Sequence, residues 1–272
     1  MKSSYYKYFA ALLLFGSNGI VASNINLPSY EIVLLRLLLG SLFLITVFTV
    51  SRQRFTFYRN KHTCLYLFIS ASAMGASWML LYEAYQQVGI SIASLAYYCG
   101  PVIVMILSPF LFRETLTWPK IAGFLTVLAG MCLVNLQALD EGKTIWGLFC
   151  GLMSAFMYAL MVTANKKAKP ESGLENSLLQ LVIGSFIVVA FVSMQKNFVL
   201  SLTTIDWIPV LLLGLLNTGI GCYLYFSSIT DLPVQTVAIC GYLEPLSAVV
   251  FSVLFLHCLL YTSDAADDTP CV

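Results

Sequence analysis

Residues 34–41 read LLRLLLGS and residues 178–185 read LLQLVIGS, two apolar stretches that share a pattern across an offset of 144 positions. The same offset relates three further pairs of residues: Gly75 and Gly219, Tyr98 and Tyr242, and Pro101 and Pro245. A single ungapped offset that relates several separated segments indicates an internal duplication. The chain is therefore expected to contain two copies of one structural unit.

Composition places these units in a lipid bilayer. Of the 272 residues, 59% are apolar and 10% are charged, and the mean hydropathy is +0.86. A soluble domain carries roughly 25% charged residues, and a soluble core of this size cannot bury such an excess of apolar surface. The net charge of +1 and the lack of a basic patch also argue against a nucleic-acid partner. We therefore predict a polytopic membrane protein.

The spanning elements are predicted to be helices. Nine apolar stretches reach the length of roughly 17–25 residues that a membrane helix needs. They are Tyr8–Ile25, Tyr30–Val50, Cys64–Tyr85, Ser91–Phe112, Trp118–Leu136, Thr144–Ala164, Ser177–Met194, Trp207–Ile229 and Val234–His257. Because these runs do not alternate between polar and apolar residues as barrel strands do, the predicted fold class is an all-α polytopic membrane bundle.

Basic residues predict the orientation, because Lys and Arg are enriched in cytoplasmic loops. With a cytoplasmic N-terminus, eleven of the fourteen Lys and Arg residues lie on the inner side, and Arg36 lies within a span. Only Lys143 and Lys196 lie outside. We therefore expect a multi-pass protein of the cell (plasma) membrane whose N-terminus is cytoplasmic.

The duplicated unit is expected to be inverted. The first repeat covers residues 5–140 with five helices, and an odd number of helices makes the second repeat enter from the opposite side. The second repeat covers residues 144–257 with four helices, because the position equivalent to its fifth helix is polar at residues 262–270. Nine helices are thus predicted where the symmetry requires ten. Inverted repeats of this kind are typical of secondary transporters.

Two motifs resemble a known family. Residues 98–102 read YCGPV and lead to FRE at 112–114, while residues 243–246 read LEPL and lead to LH at 256–257. Over residues 5–257 this duplicated pattern resembles the EamA-type transporters of the drug/metabolite transporter superfamily. The resemblance implies ten helices, a central substrate cavity between the repeats, and export of amino acids or other small metabolites.

The resemblance stops at Cys258, where the pattern requires a glutamate equivalent to Glu114. Residues 258–267 resemble one reading frame of a sequencing adaptor. We therefore expect residues 258–272 to be an artefactual tail fused to a truncated gene. A genuine polar, acidic tail is the alternative, and reading the source DNA across codon 257 distinguishes the two.

Two prolines and a glutamate are the first candidate site. Pro101 and Pro245 are placed near the middle of their spans, where a helix-interior proline leaves the carbonyl four residues earlier without a donor. The freed carbonyls, those of Tyr97 and Gly241, are expected to line a substrate cavity, with a packing kink as the alternative. Glu244 precedes Pro245, and it either binds a substrate ammonium group or a proton, or holds two helices together when protonated.

Arg36 and Glu83 are the second candidate, as coupling residues or an ion pair. Both are predicted to lie near the outer ends of their spans, where pairing lowers the cost of burying each charge. The planar fork of Arg36 is also suited to a substrate carboxylate. Snorkelling of Arg36 to the membrane interface is the alternative.

Aromatic residues flank the prolines, and four of them are candidates for lining the substrate site: Trp78, Tyr82, Tyr98 and Tyr242. Phosphate-loop and zinc-protease motifs do not occur in the sequence. We therefore predict no catalytic residue, no metal and no cofactor.

The predicted function is secondary transport by alternating access, and the alternative is a non-transporting membrane sensor or channel subunit. The expected partners are a small-molecule substrate and the lipid bilayer, with no nucleic acid, and a homodimer is left open.

Overall fold

The computed structural model describes residues 2–25, 27, 29–115, 117, 118, 120–123, 125, 126, 129, 145–194 and 207–256. The tail at 258–272 and most of the predicted span Trp118–Leu136 lie outside the described residues. The predictions about the tail and the number of helices therefore stay predictions.

The described part of the chain is helical and contains no strand. The helices of the first half are α1 (Lys2–Gly16), α2 (Asn18–Ser23), α3 (Ser29–Val50), α4 (Lys61–Tyr97) and α5 (Cys99–Phe112). Those of the second half are α6 (Ile145–Ala168), α7 (Gly173–Ser193), α8 (Trp207–Leu211), a π-helix (Leu212–Ile220), α9 (Gly221–Ser228), α10 (Val234–Cys240) and α11 (Leu243–Leu256).

Seven stretches of helix in the described residues are long and apolar enough to cross a membrane. They are Tyr30–Val50, Lys61–Gly89, Ile92–Phe112, Ile145–Ala168, Gly173–Ser193, Trp207–Ser228 and Val234–Phe255. Each matches a predicted span, so the predicted membrane bundle is confirmed. Within α4, Gly89 adopts φ 78°, where only glycine is unstrained, and this residue separates two of the spans.

The first predicted span, Tyr8–Ile25, is divided between α1 and α2 at Ser17. The hydroxyl of Ser17 donates to the carbonyl of Leu14 at 2.7 Å, and the amide of Asn217 donates to that carbonyl at 2.8 Å. The same amide reaches the Ser17 hydroxyl at 2.9 Å and the Asn18 side-chain carbonyl at 3.0 Å. The π-helix therefore supplies the polar side chain that stabilises the break.

Helices of the first half pack mainly against elements of the second half. α4 packs against α6 and α7, α3 packs against α7 and the π-helix, and α1 packs against α9 and α11. The first residues of α5 and α11 are 144 positions apart, and so are their last residues. The first residues of α3 and α7 are also 144 positions apart. At the crossing of α3 and α7, the hydroxyls of Ser41 and Ser185, also 144 apart, lie within 3.0 Å.

Close helix contact at Gly75 gives a stability prediction. A Cβ atom at Gly75 would lie 2.9 Å from the carbonyl oxygen of Gly184 and 3.0 Å from Cβ of Ile187. In an open helix, Gly→Ala stabilises by up to about 1 kcal/mol, whereas overpacking costs about 1–3 kcal/mol. Gly75→Ala is therefore expected to lower the unfolding temperature in detergent.

Gly123→Ala is the matched control for this substitution. Gly123 is also helical, and a Cβ atom there meets nothing within 4 Å. The control is expected to leave the unfolding temperature unchanged or slightly raised. Equal behaviour of the two variants would contradict close packing of α4 on α7.

Candidate functional site

Two helix breaks meet at the centre of the bundle. α4 ends at Tyr97 and α5 begins at Cys99, while α10 ends at Cys240 and α11 begins at Leu243. The hydroxyl of Tyr242, in the second break, donates to the carbonyl of Tyr98, in the first, at 2.9 Å. The two candidate tyrosines are thus brought into direct contact.

Pro101 and Pro245 lie near the middle of the spans Ile92–Phe112 and Val234–Phe255, as predicted, but the local backbone differs from the prediction. Pro101 and Pro245 are each the third residue of a helix, α5 and α11, so neither kinks a helix interior. The first turn tolerates proline because its N–H groups have no helical acceptor. The carbonyl of Gly241 is not freed, since it accepts the N–H of Glu244 at 3.2 Å.

Glu244 lies in the first turn of α11 and is half-buried. The N-terminal end of a helix carries positive partial charge, which favours a carboxylate at this position. Its charge also lies within electrostatic range of Arg36 on α3. The structure therefore places a potential anion and a fixed cation in the same region, on elements from the two halves of the chain.

Arg36 is buried, with 7% of its surface exposed. Its Nε donates to the hydroxyl of Thr218 at 2.9 Å, and its guanidinium lies 4.6 Å from the ring centroid of Trp78. Both of these partners are uncharged. Burial among protein groups differs from the snorkelling alternative, in which the side chain extends to the interface.

Thr218 was not recognised as a site residue from the sequence. It lies in the π-helix, and its own hydroxyl donates to the carbonyl of Leu213, five residues earlier, at 2.8 Å. Irregular π segments occur frequently at functional sites. The hydroxyl of Thr218 thereby orients one edge of the Arg36 guanidinium.

Glu83 has partners other than Arg36. The hydroxyl of Tyr30 donates to one oxygen of its carboxylate at 2.5 Å, and the amide of Gln87 donates to the other at 3.2 Å. The structure thus gives Arg36 and Glu83 separate environments, with neutral partners for each.

Five tyrosines form a continuous cluster, in which Tyr8 and Tyr225 are buried and the other three are partly buried. Tyr8 packs 5.6 Å from Tyr225, whose hydroxyl lies 3.3 Å from that of Tyr158, and Tyr158 packs 5.5 Å from Tyr97. Tyr97 in turn packs 5.8 Å from Tyr98. Sequence reasoning did not select Tyr8 or Tyr158.

The two remaining aromatic candidates lie on α4. Trp78 and Tyr82 are one turn apart, and both are partly buried against the core. Trp78 contacts Arg36, whereas Tyr82 packs edge-on against Tyr85 at 5.2 Å. Only Trp78 is therefore in direct contact with a charged residue of the site.

The membrane helices, the paired helix breaks and the buried arginine define a polytopic membrane protein with a polar centre. The EamA-like transporter family model matches residues 3–136 and 145–265, so the chain belongs to the EamA-like transporter family. This confirms the resemblance to the drug/metabolite transporter superfamily. It also implies a non-enzymatic transporter that binds small-molecule substrates and lies in the lipid bilayer.

Two curated relatives come from Bacillus subtilis (strain 168). The uncharacterized transporter YxxF is 27% identical over 256 residues, which is 92% of this chain and 80% of that protein. The uncharacterized transporter YetK is 26% identical over 263 residues, covering 93% and 79%.

More distant similarities support the same fold and class. A biotin transporter of Salmonella typhimurium (strain LT2) is 21% identical over 183 residues, covering 66% of this chain and 61% of that protein. A crystal structure that is 17% identical superposes with a TM-score of 0.78 over 95% of this chain and 90% of that chain.

Proposed function

We propose that this protein is a secondary transporter that exports a small carboxylate-bearing metabolite, such as an amino acid, by alternating access between two inverted repeats. The observation that carries the proposal is the buried guanidinium of Arg36, which Thr218 of the π-helix and Trp78 of α4 hold between the two halves of the chain. A charge inside the membrane is costly and marks a functional site by default. The planar fork of arginine is suited to binding a carboxylate.

The position equivalent to Arg36 in the second half supports a substrate role. That position is Gln180, which is fully buried and satisfied by neutral partners. It accepts from the hydroxyl of Ser70 at 3.2 Å and donates to Asn176 at 3.5 Å. Because a neutral amide serves at the equivalent position, helix packing alone does not require the charge of Arg36.

Reciprocal contacts support the inverted-repeat part of the proposal. A Cβ atom at Gly75 would meet the side chain of Ile187, and one at Gly219 would meet the side chain of Phe43. The offset of 144 relates Gly75 to Gly219 and Phe43 to Ile187, so each contact is the counterpart of the other. Two-fold related halves produce reciprocal contacts of this kind, and rocking of one half against the other is the expected basis of alternating access.

The amino-acid part of the proposal adds Glu244. A zwitterionic substrate needs an anionic partner for its ammonium group as well as a cation for its carboxylate. Glu244 lies within electrostatic range of Arg36 and at the second helix break. We further propose a plasma-membrane location with a cytoplasmic N-terminus, no nucleic-acid partner, and a monomer or homodimer as the transporting unit.

The test is a flux assay with the purified chain in proteoliposomes. The preloaded panel contains labelled amino acids and biotin, the latter because a similar protein is a biotin transporter. Efflux that requires the protein and saturates with substrate is expected. Ligand-induced stabilisation without any flux would instead favour a sensor, and flux that does not saturate would favour a channel subunit.

Glu83 is proposed to relay the protons that couple transport to a gradient. Its carboxylate accepts the Tyr30 hydroxyl, which supplies a neighbour for proton transfer. If it carries the proton, Glu83→Gln is expected to abolish pH-gradient-driven flux and leave substrate exchange between equal pH values intact. Tyr30→Phe, which removes the donor alone, is the matched variant. Unchanged coupling in Glu83→Gln would remove this residue from the mechanism.

A further inference from the structure

A separate cavity of about 410 Å³ lies between the ends of α4, α5 and α6 that are predicted to face the cytoplasm. It is distinct from the candidate substrate site, since none of its lining residues is among those described above. Its polar wall consists of His62, Tyr66, Lys166, Lys167, Lys169 and Thr230. Among the described residues no carboxylate lines the cavity, so this wall has a positive character.

Lys166 supplies a fixed positive charge. Its ammonium group donates to the carbonyls of Ile229 at 3.1 Å, Thr230 at 2.5 Å and Leu232, just beyond the C-terminal end of α9. A cation at this position also complements the negative end of the helix dipole. With its three donors engaged, Lys166 contributes its charge to the cavity but does not need to bind a ligand directly.

The nearby carboxylates have other partners. Glu114 accepts the N–H groups of Val234 at 2.7 Å and Gln235 at 3.0 Å, and so caps α10. Asp231 accepts the hydroxyl of Ser4 at 2.8 Å. Both carboxylates act electrostatically on Lys166, but their hydrogen bonds are made to neutral donors and neither residue lines the cavity.

Lys167 and Lys169 are the cations placed to bind a ligand. The ammonium of Lys167 lies 6.0 Å from the ring centroid of Tyr66, and the ring of His62 packs 4.5 Å from the same tyrosine. Lys169 is exposed, and it follows the last residue of α6 with φ 48°. Two ammonium groups beside hydroxyl and imidazole donors suit a phosphate group.

We propose that this cavity binds the phosphate headgroup of an anionic phospholipid. The lipid source is favoured by exposed apolar side chains within two residues of the cavity-lining Tyr66 and Leu111. These are Leu65, Phe68 and Phe110, which are 57%, 56% and 81% exposed. Leu111 and Phe112 continue that surface into the cavity wall. Acyl chains lying on these residues would place the headgroup among the lysines, as basic pockets between membrane helices do.

The experiment titrates the purified full chain in detergent micelles with dioleoylphosphatidylglycerol, dioleoylphosphatidylcholine or sodium phosphate. The unfolding temperature reports binding, because a ligand of the native state raises it. Phosphatidylglycerol is expected to raise it, whereas the other two probes have little effect. Lys167→Gln combined with Lys169→Gln is expected to weaken the apparent affinity for phosphatidylglycerol about 30-fold, because each lysine contributes a factor of about tenfold or less.

The matched control is Arg52→Gln combined with Arg54→Gln, which removes two exposed cations from the loop after α3. This control should keep the affinity, as should Lys167→Arg combined with Lys169→Arg. Equally weakened phosphatidylglycerol binding in the control would show that general surface charge attracts the lipid, and this result would overturn the proposed site. Equal protection by sodium phosphate would overturn the lipid source. Because the readout is binding alone, it does not depend on the proposed transport function.

Discussion

Arg36→Gln is expected to lower kcat/KM for every carboxylate substrate by about 10–150-fold. Glutamine keeps a polar group beside Thr218 and Trp78, but it lacks the charge and the fork that bind a carboxylate. A charge-assisted pair contributes about 1.5–3 kcal/mol, which corresponds to roughly 10–150-fold. The measurement is flux into or out of proteoliposomes over a range of substrate concentrations.

Two further variants separate binding from folding. Arg36→Lys keeps the charge without the fork and is expected to retain part of the flux, mainly with a higher KM. Thr218→Val keeps Arg36 but removes the acceptor of its Nε, together with the bond that the Thr218 hydroxyl donates to the Leu213 carbonyl. It is expected to reduce flux less than about tenfold. All variants should elute as folded protein in gel filtration. Full activity of Arg36→Gln would show that the buried guanidinium has a structural role.

The duplication could be predicted from the sequence because an offset is a property of residue order alone. Tyr98 and Tyr242 were related by that offset, and the structure joins the hydroxyl of one to the carbonyl of the other. Arg36 could also be selected from the sequence, because a charged residue within a membrane span is rare and usually functional.

The helix breaks could not be predicted, because hydropathy records the apolarity of a segment and not its backbone hydrogen bonds. Residues 234–256 are predominantly apolar and form one span, Val234–Phe255, but the structure divides this span into α10 and α11. The break at Gly241 and Tyr242 changes which carbonyls are satisfied. The expectation of a freed Gly241 carbonyl was wrong for this reason.

Thr218 was missed for a related reason. Its side chain reaches Arg36 from a π-helix, whose five-residue hydrogen bonds change the face on which each residue lies. Tyr8 was placed at the edge of its predicted span, yet it is fully buried and donates to the carbonyl of Val237. Neither position could be found without the packing of one half of the chain on the other.

Glu244→Gln is expected to discriminate between substrates that carry an ammonium group and those that do not. If Glu244 binds the ammonium group, the variant raises KM for amino acids about 10–100-fold. Flux of a substrate with a carboxylate alone, such as biotin, would then be little changed. If Glu244 instead carries the coupling proton, gradient-driven flux of both substrates falls together, while exchange at equal pH persists.

Glu114→Gln is the matched control for this experiment, because Glu114 is also a carboxylate at a helix N-terminus. Its oxygens accept the N–H groups of Val234 and Gln235, so the control should lower the unfolding temperature without changing substrate preference. Equal effects of the two variants on preference would assign Glu244 to helix capping. A selective loss of amino-acid flux in Glu244→Gln would instead place a binding carboxylate at the second helix break, within electrostatic range of Arg36.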